Sequence, residues 1–320
     1  MEKFRVAVTD ERHASYDIER KILEEAGAEL AICNCVTAED IARECADADG
    51  ILLDMAPMTA EAIEKLNKCK VIVRYGVGYD NVDVEACTKK GILVCNVPDY
   101  CALDVSDHAL ALLLTCLRAT AERDRRIRLG EWNIQAANSV RLAGKTLGVL
   151  GFGRIARELV HKCSGFGFSR VLAYDPYLPE DFCRQHGAEK ADLETVLANS
   201  DFLSLHMPVT PETRGMINAD RLKLMKKNVI LINTARGALI DDEALVAALQ
   251  NGDIAWAGLD THNKEPLNLD SPYMDLDNVV LTDHTAYSTK EGVIELKTKA
   301  AQAVATVLNG GKPAFPINKI

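Results

Sequence analysis

No pair of cysteines in this sequence is spaced C-x-x-C, although it holds ten of them in 320 residues. They stand at 33, 35, 45, 69, 87, 95, 101, 116, 163 and 183, and Cys33-Asn34-Cys35 has no second cluster to complete a metal set. Most fall inside apolar runs, so they read as buried free thiols in a reducing compartment, with neither a disulfide framework nor a metal site expected. No charged segment followed by an apolar one opens the chain, so no signal peptide is expected. No apolar run reaches the ~18 residues of a membrane span. The expected location is the cytoplasm, with no membrane partner. Long basic blocks are missing too: Arg123, Arg125, Arg126 and Arg128 cluster, but Glu122, Asp124 and Glu131 dilute them. With a formal net charge of −10, nucleic acid is not an expected partner. There is neither an internal repeat nor a low-complexity stretch.

What is present is an alternation of short apolar runs and helical patterns, the mark of parallel sheets with helical crossovers. The length fits about two domains. In the first hundred residues strands are expected at 4–9, 29–33, 50–54, 71–75 and 92–96, with helices at 14–26, 38–46, 59–67 and 83–90. A long apolar helix follows over 102–120. A second series places six strands at 146–150, 170–174, 201–205, 229–233, 255–259 and 279–282, with helices at 154–164, 192–198, 218–225 and 241–250. The amphipathic helix expected over 288–308 is not needed by the second series and can return to the first.

The second series opens on its most informative stretch. The run Thr146–Leu150 reads as a buried strand, Gly151-x-Gly153-x-x-Ala156 as a tight turn, and Ile155–Cys163 as a helix. Backbone N–H groups and the helix dipole at such a turn favour a pyrophosphate. The next strand ends at Asp175, 22 residues beyond Gly153, near the roughly 20 expected for the acid that bonds the adenosine ribose. An acid there, with no nearby Arg, favours NAD over NADP.

Ligands of open α/β sheets bind outside the carboxyl ends of the strands. In the second series those ends carry Asp175, His206, Thr234-Ala235-Arg236-Gly237, Asp260 and His284, with Glu265 in the loop after Asp260. Arg236 has a planar fork suited to a carboxylate. His284 can move a proton near neutral pH, and Glu265 can orient its ring. Beside a nicotinamide this set would reduce a 2-keto acid. Each residue alone also has a plain structural reading, and His206 reads equally well as structural or as lining the cofactor groove. His13, His161, His186 and His262 show no partner pattern and are read as surface or loop residues. In the first series, the glycine turn Arg74-Tyr75-Gly76-Val77-Gly78 ends a strand, and its Val77 and Gly78 amides could cradle a carboxylate.

These stretches, with His206-Met-Pro-Val-Thr-Pro-Glu-Thr213, Ile232–Asp241, Gly258–Pro266 and Thr282–Ala286, resemble the D-isomer-specific 2-hydroxyacid dehydrogenase family over nearly the full length. Within it the likeness is to D-3-phosphoglycerate dehydrogenases and reductases of glyoxylate or hydroxypyruvate. The expected fold class is α/β, with two doubly wound parallel-sheet domains. The resemblance implies a Rossmann NAD-binding domain (102–287) inserted in a flavodoxin-like substrate domain (1–101 and 288–320), a cleft that closes on substrate, and a homodimer formed through the cofactor domains. It implies Arg236, Glu265 and His284 as the catalytic set. The cofactor-binding positions are then Gly151, Gly153, Arg154, Ile155, Asp175, His206, Thr213, Thr234, Ala235, Arg236, Asp260 and His284. The substrate-binding positions are Arg74, Val77, Gly78 and Arg236. The implied activity is reversible hydride transfer between NAD(H) and a small 2-keto or 2-hydroxy acid. An NAD(H)-sensing interaction protein, like the C-terminal-binding co-repressors, is the alternative. Three departures stand out: Asp283 replaces the usual Pro before the catalytic His, Thr261-His262 replaces Val-Phe, and Val105-Ser106-Asp107 replaces Val-Ala-Glu. Asp283 could act on His284 or point to solvent.

Overall fold

The structure, a computed structural model, describes residues 3–134 and 139–320. It divides into two compact units, one formed by the chain up to Cys101 together with Thr289–Ile320, the other by Ala102–Ser288.

In the first unit, β1 (Phe4–Val8), β2 (Ala28–Ile32), β3 (Gly50–Leu53), β4 (Val71–Arg74) and β5 (Leu93–Cys95) form one sheet in the order β2-β1-β3-β4-β5. All its strand pairs are parallel. The order reverses between β1 and β3, as in flavodoxin-like sheets. Strands buried on both faces need continuous apolar sequence, and every residue of β3, Gly-Ile-Leu-Leu, is buried. Side-chain caps start the helices between them: Thr37 accepts from the Asp40 amide while the Asp40 carboxylate accepts from Thr37, and Asp83 accepts from the Ala86 amide. The last helix, Lys290–Leu308, packs on this unit. Its Lys297 is buried with Nζ 3.5 Å from the buried Glu19 carboxylate, which also accepts from the Tyr75 hydroxyl at 3.0 Å.

In the second unit, β6 (Thr146–Leu150), β7 (Arg170–Tyr174), β8 (Glu189–Lys190), β9 (Phe202–Leu205), β10 (Ile230–Asn233), β11 (Trp256–Leu259) and β12 (Val279–Leu281) lie in the order β12-β11-β10-β9-β6-β7-β8. All neighbours are parallel. The sheet therefore has seven strands, one more than expected. β8 is a two-residue edge strand of exposed Glu and Lys, which gives no apolar signal. The order reverses between β6 and β9, so the crevice for a ligand lies at the end of β6. Two helices were also not expected, Thr120–Arg128 and Glu180–Gln185; the first buries none of its residues. The long helix Ala102–Arg118 turns Ala109, Leu112, Leu113 and Cys116 into the core that backs the sheet. All ten cysteines of the chain are buried and free.

Candidate active site

At the end of β6 the chain must turn sharply into the helix Arg154–Cys163. Gly151 does so at φ +84°, where a Cβ would come within 2.8 Å of the His206 carbonyl. Only glycine meets both demands. Gly153 is the residue before the helix, and a Cβ there would meet nothing within 4 Å. No N-cap side chain bonds this helix start and no acid stands in its first turn, so its first N–H groups are not met by a cap. Gly153 and Arg154 are exposed and Ile155 is half-buried. Asp175, just after β7, is drawn to the same turn: its carboxylate accepts from the Phe152 amide at 3.0 Å and from the Tyr177 amide at 2.9 Å. An open helix N-terminus beside a fixed carboxylate fits the pyrophosphate and ribose of NAD.

His206, one residue past β9, is held from both sides. Its amide donates to the Leu150 carbonyl at 2.7 Å, and its Nε2 lies 2.8 Å from the Ser204 hydroxyl. Burial pushes the imidazole down to about 4, so it is neutral at physiological pH. Thr213 closes its own loop, donating to the Pro208 carbonyl at 2.7 Å.

Arg236 follows β10 in a turn braced by buried Asn233. The Asn233 side chain accepts from the Ala235 amide at 3.0 Å and donates to the Arg236 carbonyl at 2.8 Å. The guanidinium donates to the Ala235 carbonyl at 2.7 Å and is half-buried. Thr234, beside it, is buried with a hydroxyl that has no partner among the described residues.

Glu265 and His284 meet. His284 Nδ1 is 2.7 Å from Glu265 Oε2, and a carboxylate only accepts, so Nδ1 carries the proton and Nε2 is the nitrogen left for exchange. Partial burial pushes the Glu265 carboxyl up, but the bonds from His284 and from the His262 amide (3.0 Å) outweigh it, and its pKa lies below the ordinary range. His284 has φ +58°, a left-handed conformation that costs a non-glycine residue ~1–3 kcal/mol and persists only where its surroundings over-determine it. Asp260 is what surrounds it. This carboxylate, 1 % exposed, accepts from the Thr282 hydroxyl at 2.7 Å, the Thr285 amide at 3.0 Å and the Ala286 amide at 3.1 Å. Its own carbonyl accepts from the His284 amide at 2.8 Å. Asp283 is exposed and accepts from the Thr285 hydroxyl at 2.9 Å.

Two histidines correct the sequence reading. His262 is no bystander of the loop: its amide holds Glu265 and its Nε2 lies 2.8 Å from the Thr282 carbonyl. His108, which sequence reasoning missed, reaches the Thr282 hydroxyl at 3.0 Å from the helix Ala102–Arg118. A polar residue within an apolar helix was the signal available for it. His13 is likewise packed, edge-on to Tyr16 and Tyr75 at 5.8 and 5.4 Å between centroids.

In the first unit, the Arg74 guanidinium donates to the Tyr75 carbonyl at 2.5 Å, and the turn after it is tied by a bond from Asn96 to the Val77 carbonyl at 2.6 Å. The amides of Val77 and Gly78 donate to no group among the described residues. Among the described residues no group of three or more His, Cys, Asp or Glu could hold a metal ion, and no helix is long and apolar enough to cross a membrane.

Residues 110–286 match the model of the D-isomer specific 2-hydroxyacid dehydrogenase family, NAD binding domain. The D-3-phosphoglycerate dehydrogenase of Methanocaldococcus jannaschii is 39 % identical over 308 residues, which are 96 % of this chain and 58 % of that protein. The glyoxylate reductase of Thermococcus litoralis is 42 % identical over 269 residues, 81 % of this chain and 80 % of that protein. The solved D-lactate dehydrogenase of Aquifex aeolicus, complexed with NAD and lactic acid, superposes with a TM-score of 0.85 at 30 % identity, covering 96 % of each chain. The chain spans little more than half the length of the D-3-phosphoglycerate dehydrogenases first matched, 58 % and 54 %.

Proposed function

The chain belongs to the D-isomer specific 2-hydroxyacid dehydrogenase family, and from that premise we propose that it interconverts a small 2-keto acid and its D-2-hydroxy acid with NAD(H) as cofactor. The observation that carries the reading is the 2.7 Å bond between His284 Nδ1 and Glu265, in the same unit as the glycine turn at Gly151–Gly153. Gly151, Gly153, Arg154, Ile155 and Asp175 would hold the dinucleotide, with His206, Thr213, Thr234, Ala235 and Asp260 along its course. When bound, NADH supplies the hydride. The Arg236 fork binds the substrate carboxylate and sets the carbonyl for attack. In the first unit, the amides of Val77 and Gly78 are of a kind that suits a carboxylate, and Arg74 is assigned as a further substrate-binding residue. His284 Nε2 gives a proton to the carbonyl oxygen, and Glu265, bonded to Nδ1, holds the ring in the orientation that does so. In the oxidative direction the same nitrogen takes the proton back.

The substrate class is glyoxylate, hydroxypyruvate, phosphohydroxypyruvate or a similar acid. The location is the cytoplasm and the assembly a homodimer. Supporting the dimer, the stretch after the long helix exposes Ile127, Leu129, Trp132 and Ile134, the tryptophan at 83 %, more apolar surface in one segment than a monomer keeps without reason.

The test is a panel of these acids with NADH and NADPH, followed by loss of reduced cofactor. At least one acid should turn over. His284→Ala should lose about 10²–10⁴-fold in kcat while still binding NADH. Arg236→Ala should raise KM about 10–100-fold, the worth of charge-assisted bonds to a carboxylate. No turnover with any acid, or wild-type kcat in His284→Ala, would refute the proposal.

A further inference from the structure

Arg236, Glu265 and His284 come from three different strand ends, and nothing in the sheet itself fixes their loops to one another. One place touches all three. The backbone of His262–Asn263 lies directly against Gly237, the residue after Arg236: a Cβ built there would meet the His262 carbonyl carbon at 2.1 Å. The His262 amide holds Glu265 Oε1 at 3.0 Å. The His262 ring holds the carbonyl of Thr282, two residues before His284, at 2.8 Å.

Thr282 is gripped a second time. Its hydroxyl donates to Asp260 at 2.7 Å and therefore accepts from His108 Nε2 at 3.0 Å. A carbonyl also only accepts, so both histidines present Nε2–H to Thr282, one to the hydroxyl and one to the carbonyl. His262 does so although its Nδ1 is buried with no partner among the described residues. Such an orphan is unfavourable, and an apolar ring would avoid it. The strained backbone of His284 needs over-determination, and this double grip sits at the entrance to it.

We propose that His108 and His262 are positioning residues: by clamping Thr282 between them they hold His284 in its left-handed conformation and in register with Glu265. The inference rests on the reading of His284 and Glu265 as the proton-transfer pair, and its test has an arm that needs no turnover.

The variants are His108→Phe, His262→Phe, their combination, and the combination of His108→Gln with His262→Gln, since Gln can offer an N–H where Nε2 stood. Thr282→Val is a near-isosteric change that removes the gripped hydroxyl, and it serves if the double Phe protein does not fold. The first readout is kcat and KM for the best keto acid, with NADH affinity by fluorescence. The second is the proton spectrum of the apo protein, in which the His284 Nδ1–H shared with Glu265 should give a downfield signal, assigned by its loss in His284→Ala. The double Phe variant should lose up to about 100-fold in kcat, the scale of an ångström's misplacement, and Thr282→Val, which keeps the His262 bond to the carbonyl, should lose a smaller part of it. KM and NADH affinity should stay within about threefold, and the downfield signal should broaden or vanish. The double Gln variant should recover most of both. Retention of signal and kcat in the Phe variants, or Gln variants no better than Phe, would overturn the proposal. If the wild type reduces no keto acid the proposed function fails, while loss of the signal in Phe and its return in Gln still support the clamp and its retention overturns it.

Discussion

Gly237→Ala would test whether the loops of the site are as tightly keyed as their geometry requires. The residue begins the 3-10 turn Gly237–Leu239 directly after Arg236, and its φ does not call for glycine. Space alone does. An added methyl carbon would lie 2.1 Å from the His262 carbonyl carbon and 2.4 Å from both the His262 oxygen and the Asn263 nitrogen. Carbon atoms rest at about 3.5–4.0 Å, so the two segments must part by more than about 1 Å, and every obstructing atom is backbone that has no rotamer to change. Overpacking of this kind costs ~1–3 kcal/mol. At ~2–4 °C per kcal/mol for a domain of this size, the melting temperature should drop by roughly 2–12 °C. The same displacement moves Arg236 against Glu265, and an ångström between reacting groups is worth about 10² in rate. Steady-state assays should therefore give kcat/KM about 100-fold lower, with NADH affinity falling less, because Gly151–Gly153 lie on another strand end and only Thr234 and Ala235 adjoin the displaced turn. Gly165→Ala, where a Cβ would meet nothing within 4 Å, is the control and should be neutral. A Gly237→Ala protein with wild-type kcat/KM and an unshifted melting temperature would show that the loops are not keyed as described.

Four further expectations are open to simple measurement. The Glu265 carboxyl lies below its ordinary pKa, so its bonds stabilise the protein fully above about pH 5 and are lost as pH falls through the depressed value. The melting-temperature gap between wild type and Glu265→Gln should then narrow toward pH 3, and a constant gap would refute the assignment. His206 is pushed down to about 4 by burial, so the unfolded chain takes up its proton first and stability falls between about pH 6.5 and 4. His206→Gln should flatten that slope, and an identical slope in both proteins would count against a buried neutral ring. Asp175 should make NADH preferred over NADPH by tenfold or more, about 1.4 kcal/mol, and Asp175→Ala should narrow the ratio; equal use of both by the wild type would remove that role. The buried Cys33 thiol has its pKa lowered to about 7, because the Cys45 thiol donates to it, whereas burial pushes the Cys35, Cys87 and Cys163 thiols up. Limited alkylation read by peptide mass should label it first, and uniform labelling would contradict this.

The strand ends that carry the site could be read from sequence because a doubly wound sheet imposes a rule of position. A strand buried on both faces must be an apolar run, so its last residue is visible, and the residues after it must face the crevice. That is how Arg236, Asp260 and His284 stood out. The elements left unseen give no such signal. β8 is Glu189–Lys190 at an exposed edge, and the helix Thr120–Arg128 buries nothing, so neither has an apolar face to betray it. The support of the site was hidden for another reason. His108 and Thr282 are 174 residues apart and His262 and Thr282 are 20 apart, and no local pattern pairs them. Reading His262 as a loop residue without a partner was correct about its neighbours in sequence and wrong about its neighbours in space.

The strain at His284 bears on why such support exists. Glycine would adopt φ +58° at little cost, and it is the residue a turn of this shape ordinarily uses. Glycine has no imidazole, so a chain that needs a proton donor at this turn must accept ~1–3 kcal/mol of backbone strain. An isolated loop would relax into an ordinary conformation and carry the ring away from Glu265. Here relaxation is opposed at each step of the turn: Thr282 by His108 and His262, the His284 amide by the Asp260 carbonyl, and the Thr285 and Ala286 amides by the Asp260 carboxylate. Removing any single bond leaves the others in place, so each single substitution around the turn should cost little, and the double Phe variant should lose more than the two single losses multiplied.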